Sequence, residues 1–199
     1  MHFYFLLEFL DFIQNTKLNM IPFPSSSEYA SFYANYIRLI GEYMKENKSE
    51  NIVQVLTQLG EKTKNIFAQF SEQESLFRYE NGKWSIKELL GHMIDTEQIM
   101  SYRALSFYRG EKQPLAGFNE NEYVREANFD KILYSDLLER YEIVRQSSIV
   151  LFKSFDAAKT AQIGEASQNE MSVRALIYMI AGHEIHHLQI LEERYKSNQ

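Results

Sequence analysis

Along most of the chain, apolar residues recur every three or four positions, and the two-residue alternation of a half-buried strand is rare. This periodicity predicts helices over about residues 27–46, ending near "KENKSE", and over about 49–71. The "RYENGKW" segment, with Asn81-Gly82, reads as a turn. A third helix opens at Ser85 and runs to about Arg109. Ser85 and Glu88 have the spacing of a capping box, in which each side chain satisfies a free backbone N–H of the first turn. Gly110 is placed to stop this helix. The loop "EKQPLAGFNENEY" follows, with a short helix at about 119–127, and then a long helix over about 131–155. The last helix starts after Ser172, its N-cap, and runs to about Lys196. Prolines stand only at Pro22, Pro24 and Pro114, so the long helical stretches lack breakers. The fold class is all-α: an antiparallel four-helix bundle with an additional N-terminal helix, 27–46, packed outside or across it.

Length and composition change this picture at the edges. The 199 residues suit one domain, or one domain with appendages. Residues 1–19, "MHFYFLLEFLDFIQNTKLN", are apolar, but Glu8 and Asp11 interrupt the run. No positive charge precedes it and no small-residue cleavage site follows. About 18 clean apolar residues would be needed to span a bilayer. Residues 1–19 are therefore expected to be an amphipathic appendage, with Met20 as an alternative natural start and 20–199 as the domain. No membrane partner is expected. The net charge of −6, with acidic and basic residues mixed, argues against a nucleic-acid partner. The chain has no cysteine, which excludes disulfides, thiolate metal sites and a cysteine nucleophile. That is compatible with a reducing cytoplasm, the expected location.

The candidate chemistry lies in the histidines: His2, His92, His183, His186 and His187. Positions four apart share a helix face, so His183 and His187 stand on one ridge with Leu176, Ile180 and Leu191. His92 stands on a ridge with Leu89, Thr96, Ile99 and Arg103. Both ridges are mostly apolar and should face the core. Three converging imidazoles would make a divalent-metal site suited to zinc, nickel, copper or iron, with open positions for water or substrate. The alternative is a set of packed or surface histidines.

His183, Glu184 and His187 also spell H-E-x-x-H, in which zinc peptidases use the glutamate as general base. Those enzymes usually take the third ligand from downstream. Here twelve residues follow His187, and Glu192 and Glu193 turn away from the ligand ridge. The third ligand must come from upstream, where His92 is the candidate. Glu184 is then expected to line a helix groove or orient a neighbouring side chain, and a peptidase is disfavoured.

Other residues carry paired readings. Arg103, about 16 Å from His92 by helix rise, could reach an acidic group on a cosubstrate or pair with a carboxylate of the bundle. Asp95 could hold the His92 imidazole in its tautomer or form a bundle salt bridge. Trp84 and Ser85 define the start of their helix, and Trp84 could also wall a pocket. Arg174 reads as structural.

The blocks "GKWSIKELLGHMIDTEQIMSYRAL", "PLAGFNENEYV" and "SVRALIYMIAGHEIHHLQILEERY" resemble the DinB/YfiT-like superfamily of metal-dependent four-helix-bundle proteins. The resemblance runs from about Pro22 to Tyr195. It implies a divalent metal, zinc or nickel, on His92, His183 and His187, with His186 outside the ligand set. It also implies transfer of a low-molecular-weight thiol of the bacillithiol or mycothiol type to small electrophiles. Alternatives within the family are hydrolysis by metal-bound water, or non-catalytic metal binding. A homodimer is a further expectation from the same resemblance.

Overall fold

The computed structural model describes residues 20–196. Its helices are α1 (Ala34–Glu46), α2 (Ile52–Phe67), α3 (Ile86–Tyr108), α4 (Glu120–Ala127), α5 (Tyr134–Lys153) and α6 (Val173–Ile190). The last continues into a π-helical segment, Leu191–Lys196. Residues 1–19, read above as an appendage, and His2 among them, lie outside the described residues.

The local chemistry explains where helices start. Asn51 caps α2 by accepting from the Val53 and Gln54 N–H groups at 3.0 and 3.3 Å. Asn119 does the same for α4 at Asn121 and Glu122. The capping box at Ser85 and Glu88 forms as expected, with contacts of 2.8 and 3.1 Å. Ser172 caps α6 through the Ala175 N–H. Each such cap is worth about 1 kcal/mol.

Two predicted helices are shorter than expected: the one over about 49–71 spans Ile52–Phe67, and the one over about 27–46 starts late. Instead of helix from residue 27, two 3-10 turns, Ser26–Glu28 and Ser31–Tyr33, precede α1. Glu28 turns back to the Ser25 N–H at 2.9 Å and pairs with Arg174 at 2.6 Å. Such local side-chain bonds compete with a continuous helix. Arg174 is structural, as expected.

Helices α2, α5, α3 and α6 form a ring, and α1 lies along the outside of α6. The consecutive helices α2 and α3 therefore stand diagonally, with α5 and α6 between them. Two hydrophobic clusters fill the bundle. One gathers the first half of α2 and α6 with the last half of α3 and α5, and the other gathers the opposite ends. So α2 and α6 run one way, and α3 and α5 the other. Between the clusters lies a buried polar layer that includes His92, Thr96, Glu97, Arg145, His183, Glu184 and His187.

The periodicity gave no warning of a β-hairpin. Strands β1 (Ile163–Ala166) and β2 (Asn169–Ser172) pair antiparallel, with Ala166 opposite Asn169. Ser167 and Gln168 make the turn at φ of 53° and 62°, the left-handed conformation a two-residue hairpin needs. Leu115 pairs alongside the end of β1, its N–H donating to Glu165 O and its carbonyl accepting from the Ser167 N–H. Gly164 lets the hairpin press on α3, because a Cβ there would fall 2.1 Å from the Phe107 ring.

Candidate metal centre

The relative height of α3 and α6 is fixed at one end of the bundle. The Tyr195 hydroxyl donates to Trp84 O at 2.8 Å, tying the end of α6 to the residue before the α3 cap. Ser85 Oγ donates to Asp130 at 2.6 Å, and Arg78 bridges Asp130 and Glu88. Two turns into α3, His92 faces α6.

There the three predicted histidines meet. His92 Nε2 lies 3.0 Å from His183 Nε2, and His187 Nε2 lies 2.9 Å from the same atom. All three rings are less than a tenth exposed. Burial pushes the His92 pKa down to about 4, with His186 adding repulsion. Burial first, and then the neighbouring imidazoles, hold His183 and His187 well below the usual histidine range. All three rings are thus neutral near pH 7, the form that ligates metal.

The residues present fit a divalent ion. Three nitrogens set about 2.0–2.1 Å from one tetrahedral zinc would stand about 3.3 Å apart. The observed separations are within a few tenths of an ångström of that. The group has no acidic member, and neutral nitrogen suits zinc or nickel. His187 Nδ1 is buried with no partner among the described residues. A cluster this dry is costly as a set of bare imidazoles.

The histidines open onto a cavity of about 550 Å³, within the range of about 300–1,000 Å³ typical of small-molecule sites. Trp84 walls it, with its ring 4.7 Å from that of His92. Tyr36 of α1 stands edge-on to His183 at 5.4 Å. Gly182 permits this approach, since a Cβ there would fall 2.1 Å from Tyr36 O. His186 is half-buried, borders the cavity and packs on Tyr36 and His187, outside the three-nitrogen group.

Arg103 lines the same cavity. Its Nη2 donates to Ala116 O at 2.9 Å and to Ser167 Oγ at 3.0 Å. Asp95 points elsewhere: its carboxylate takes Arg140 of α5 at 2.7 Å. Glu184 faces away from the cavity. It accepts from the Tyr141 hydroxyl and pairs with Arg145 at 2.7 Å. Arg145 also binds Glu97 at 2.8 Å and Leu56 O at 2.9 Å. Despite burial, the two carboxylates hold the guanidinium well above its usual range. Glu184 thus orients neighbouring side chains, and the peptidase role for it has no geometric support.

Several cavity residues were not singled out from the sequence: Tyr33, Tyr36, Phe118, Ser167 and Asn169. Thr96 was on the His92 ridge, and that ridge was the signal for it. Its Oγ1 is buried and without a partner among the described residues.

Fold and site together define a helical-bundle protein with a ligand-sized cavity over a buried three-imidazole cluster. The family model described as DinB superfamily matches residues 56–191, and the chain belongs to the DinB superfamily. None of the curated proteins matches the chain. Among solved structures, it is similar to YfiT from Bacillus subtilis, described as a probable metal-dependent hydrolase with an unusual four-helix bundle topology. The TM-score is 0.66 at 14% identity, over 74% of this chain and 85% of that one. At that identity the likeness concerns the fold. Among the described residues, no helix is long and apolar enough to cross a membrane.

Proposed function

We propose that the protein binds one divalent ion, zinc or nickel, on His92, His183 and His187 and transfers a low-molecular-weight thiol to small electrophiles in the adjoining cavity. The observation that carries this reading is the convergence of three buried, neutral Nε2 atoms beside a cavity of ligand size. When bound, such an ion supplies Lewis acidity, lowering the pKa of a coordinated thiol or water.

The chain's residues favour the thiol. A free thiol near pKa 8.5 needs little help to ionise at pH 7, whereas water needs much more. Glu184, the glutamate of H-E-x-x-H, is held by Arg145 and Tyr141 and is unfit as a base. Glu120, the carboxylate that does line the cavity, is exposed. Trp84 and Tyr36 shield the imidazoles from bulk water. The lack of cysteine fits a cosubstrate that brings its own sulfur, and fits the cytoplasm as its location.

Hydrolysis is the second reading. His186 supports it: burial lowers its pKa, so a neutral imidazole borders the cavity and could accept a proton.

Metal analysis of protein purified without added metal should give about one equivalent, falling below a few tenths in His92→Ala. Unchanged, substoichiometric metal in both would reject the site. With a chromogenic aryl chloride, metal-dependent thiol consumption is expected. Turnover of ester substrates without thiol would instead select hydrolysis.

A further inference from the structure

Among the described residues three cations are buried, and two of them come with acids. Lys87 pairs with Glu72, and Arg145 with Glu97 and Glu184. Arg103 is 2% exposed, yet among the described residues its partners are Ala116 O, Ser167 Oγ and the Tyr33 hydroxyl. All are neutral. Burying an unpaired charge is costly, and buried charges are ordinarily paired.

We propose that Arg103 receives the carboxylate of an elongated small-molecule ligand whose other end reaches the three histidines. Four observations support it. The guanidinium and the imidazoles line one continuous cavity. Arg103 and His92 sit on one ridge of α3, eleven residues apart in number, which is about 16 Å along a helix axis. The hairpin turn and the loop at Ala116 hold Nη2 in place, so the fork is oriented before the ligand arrives. Thr96, between the two ends, keeps a buried hydroxyl without a partner, a group that a ligand crossing the cavity would satisfy. One guanidinium matches one negative charge, and the exposed Glu120 on the same cavity wall adds repulsion, which favours a carboxylate over a doubly charged phosphate.

The wall at this end is built by the hairpin, through Ser167 and Asn169, and by Phe118, whose ring lies 5.9 Å from the guanidinium carbon. This assignment rests on the proposed reading of the histidines as the reactive end of the same cavity.

The test is calorimetric titration of the full chain with ω-mercaptoalkanoic acids of increasing length, each against the mercaptoalcohol of equal length. At lengths that span the cavity, the acid should bind at least roughly tenfold more tightly. Arg103→Met should remove that preference without weakening the alcohol, and Arg103→Lys should keep part of it. Equal binding of acid and alcohol by the wild-type protein at every length would overturn the proposal, as would equal weakening of both by Arg103→Met. Sulfur-free alkanoic acids and alcohols separate this from the metal reading. If mercaptoacids bind no more tightly than sulfur-free acids, while both retain an Arg103-dependent preference over the alcohols even in His92→Ala, the carboxylate site stands while the thiol reading fails.

Discussion

Two buried polar clusters meet on adjacent residues of α6, and they are built on opposite principles. Glu184 belongs to a closed set. Arg145 sits between Glu97 and Glu184 and adds the Leu56 carbonyl, while Tyr141 occupies Glu184 from the other side. His183, one residue earlier, belongs to an open set. Its three nitrogens face each other with no acid among them; among the described residues His187 Nδ1 and Thr96 Oγ1 lack partners, and Arg103 on the same cavity bonds to neutral groups. Buried polar groups are expensive unless bonded. A closed set meets that cost internally, for Glu184 Oε2 by charge pairing with Arg145 at 2.7 Å rather than by a well-aligned hydrogen bond, and serves the fold. An open set requires something from outside, and its unmet valences describe what that is: a cation at one end and an anion at the other.

The largest effect should come from opening the closed set. Arg145→Met leaves Glu97 and Glu184 buried without a counter-charge, and should destabilise the protein by about 3–5 kcal/mol in chemical denaturation. Replacing all three residues together with Met should recover most of that loss. If Arg145→Met alone costs less than about 1 kcal/mol, the two clusters do not differ in the way described.

The open set should instead show itself through acid. The His92 pKa is about 4 in the folded protein, against an ordinary 6.5. Because the folded value is depressed, the unfolded chain takes up protons first as pH falls. Stability is therefore full above about pH 6.5 and is lost progressively between 6.5 and about 4. For His92 alone the loss amounts to roughly 3 kcal/mol. Melting in the presence of a chelator, scanned from neutral pH downward, should fall more steeply for wild type than for His92→Ala. Parallel profiles would mean that the imidazoles are not what acid attacks.

A smaller effect concerns the boundary of the open set. Gly182→Ala would drive a Cβ into the Tyr36 carbonyl and push α1 outward, at about 1–3 kcal/mol. The Tyr36 ring would leave His183, and the melting temperature should drop. An unchanged melting temperature would show that α1 does not rest on that glycine.

What could be read in advance divides along the same line. Helix periodicity finds residues that share a face of one element, so α3 and α6 and the ridges bearing His92, Arg103, His183 and His187 were all visible. The capping residues Ser85 and Ser172 set their starts. What lies across the cavity was not visible. The four-residue strands are too short for a periodic signal, and Ser167-Gln168 replaces the Asn-Gly that marks such a turn. Tyr33 and Tyr36 enter the cavity because of how α1 packs on α6, which the pattern of α1 alone does not encode. For Glu184 the spacing disfavoured a peptidase base and pointed to a groove or a neighbouring side chain, but the partners themselves, Tyr141 and Arg145, lie on α5 and could not be named.

The smallest predicted effect separates the clusters most cleanly. Asp95 lies one turn beyond His92 and was a candidate to steer its ring, but its carboxylate is engaged by Arg140, which also reaches Gln98 at 2.9 Å. Arg140 is substantially exposed, so the pair is partly screened. Asp95→Asn removes the charge and keeps the shape. It should cost less than about 1 kcal/mol of stability and leave metal content at its wild-type value. A steering role would read out differently. Loss of a carboxylate that fixes a ligating imidazole weakens metal binding by roughly 10–100-fold. A competition titration against a chromogenic chelator resolves that range. A tenfold weakening in Asp95→Asn, with stability intact, would move Asp95 from the bundle's surface pairs into the open set, and would require the His92 ring to be held from α3 itself rather than by Trp84 and the α6 histidines packed around it.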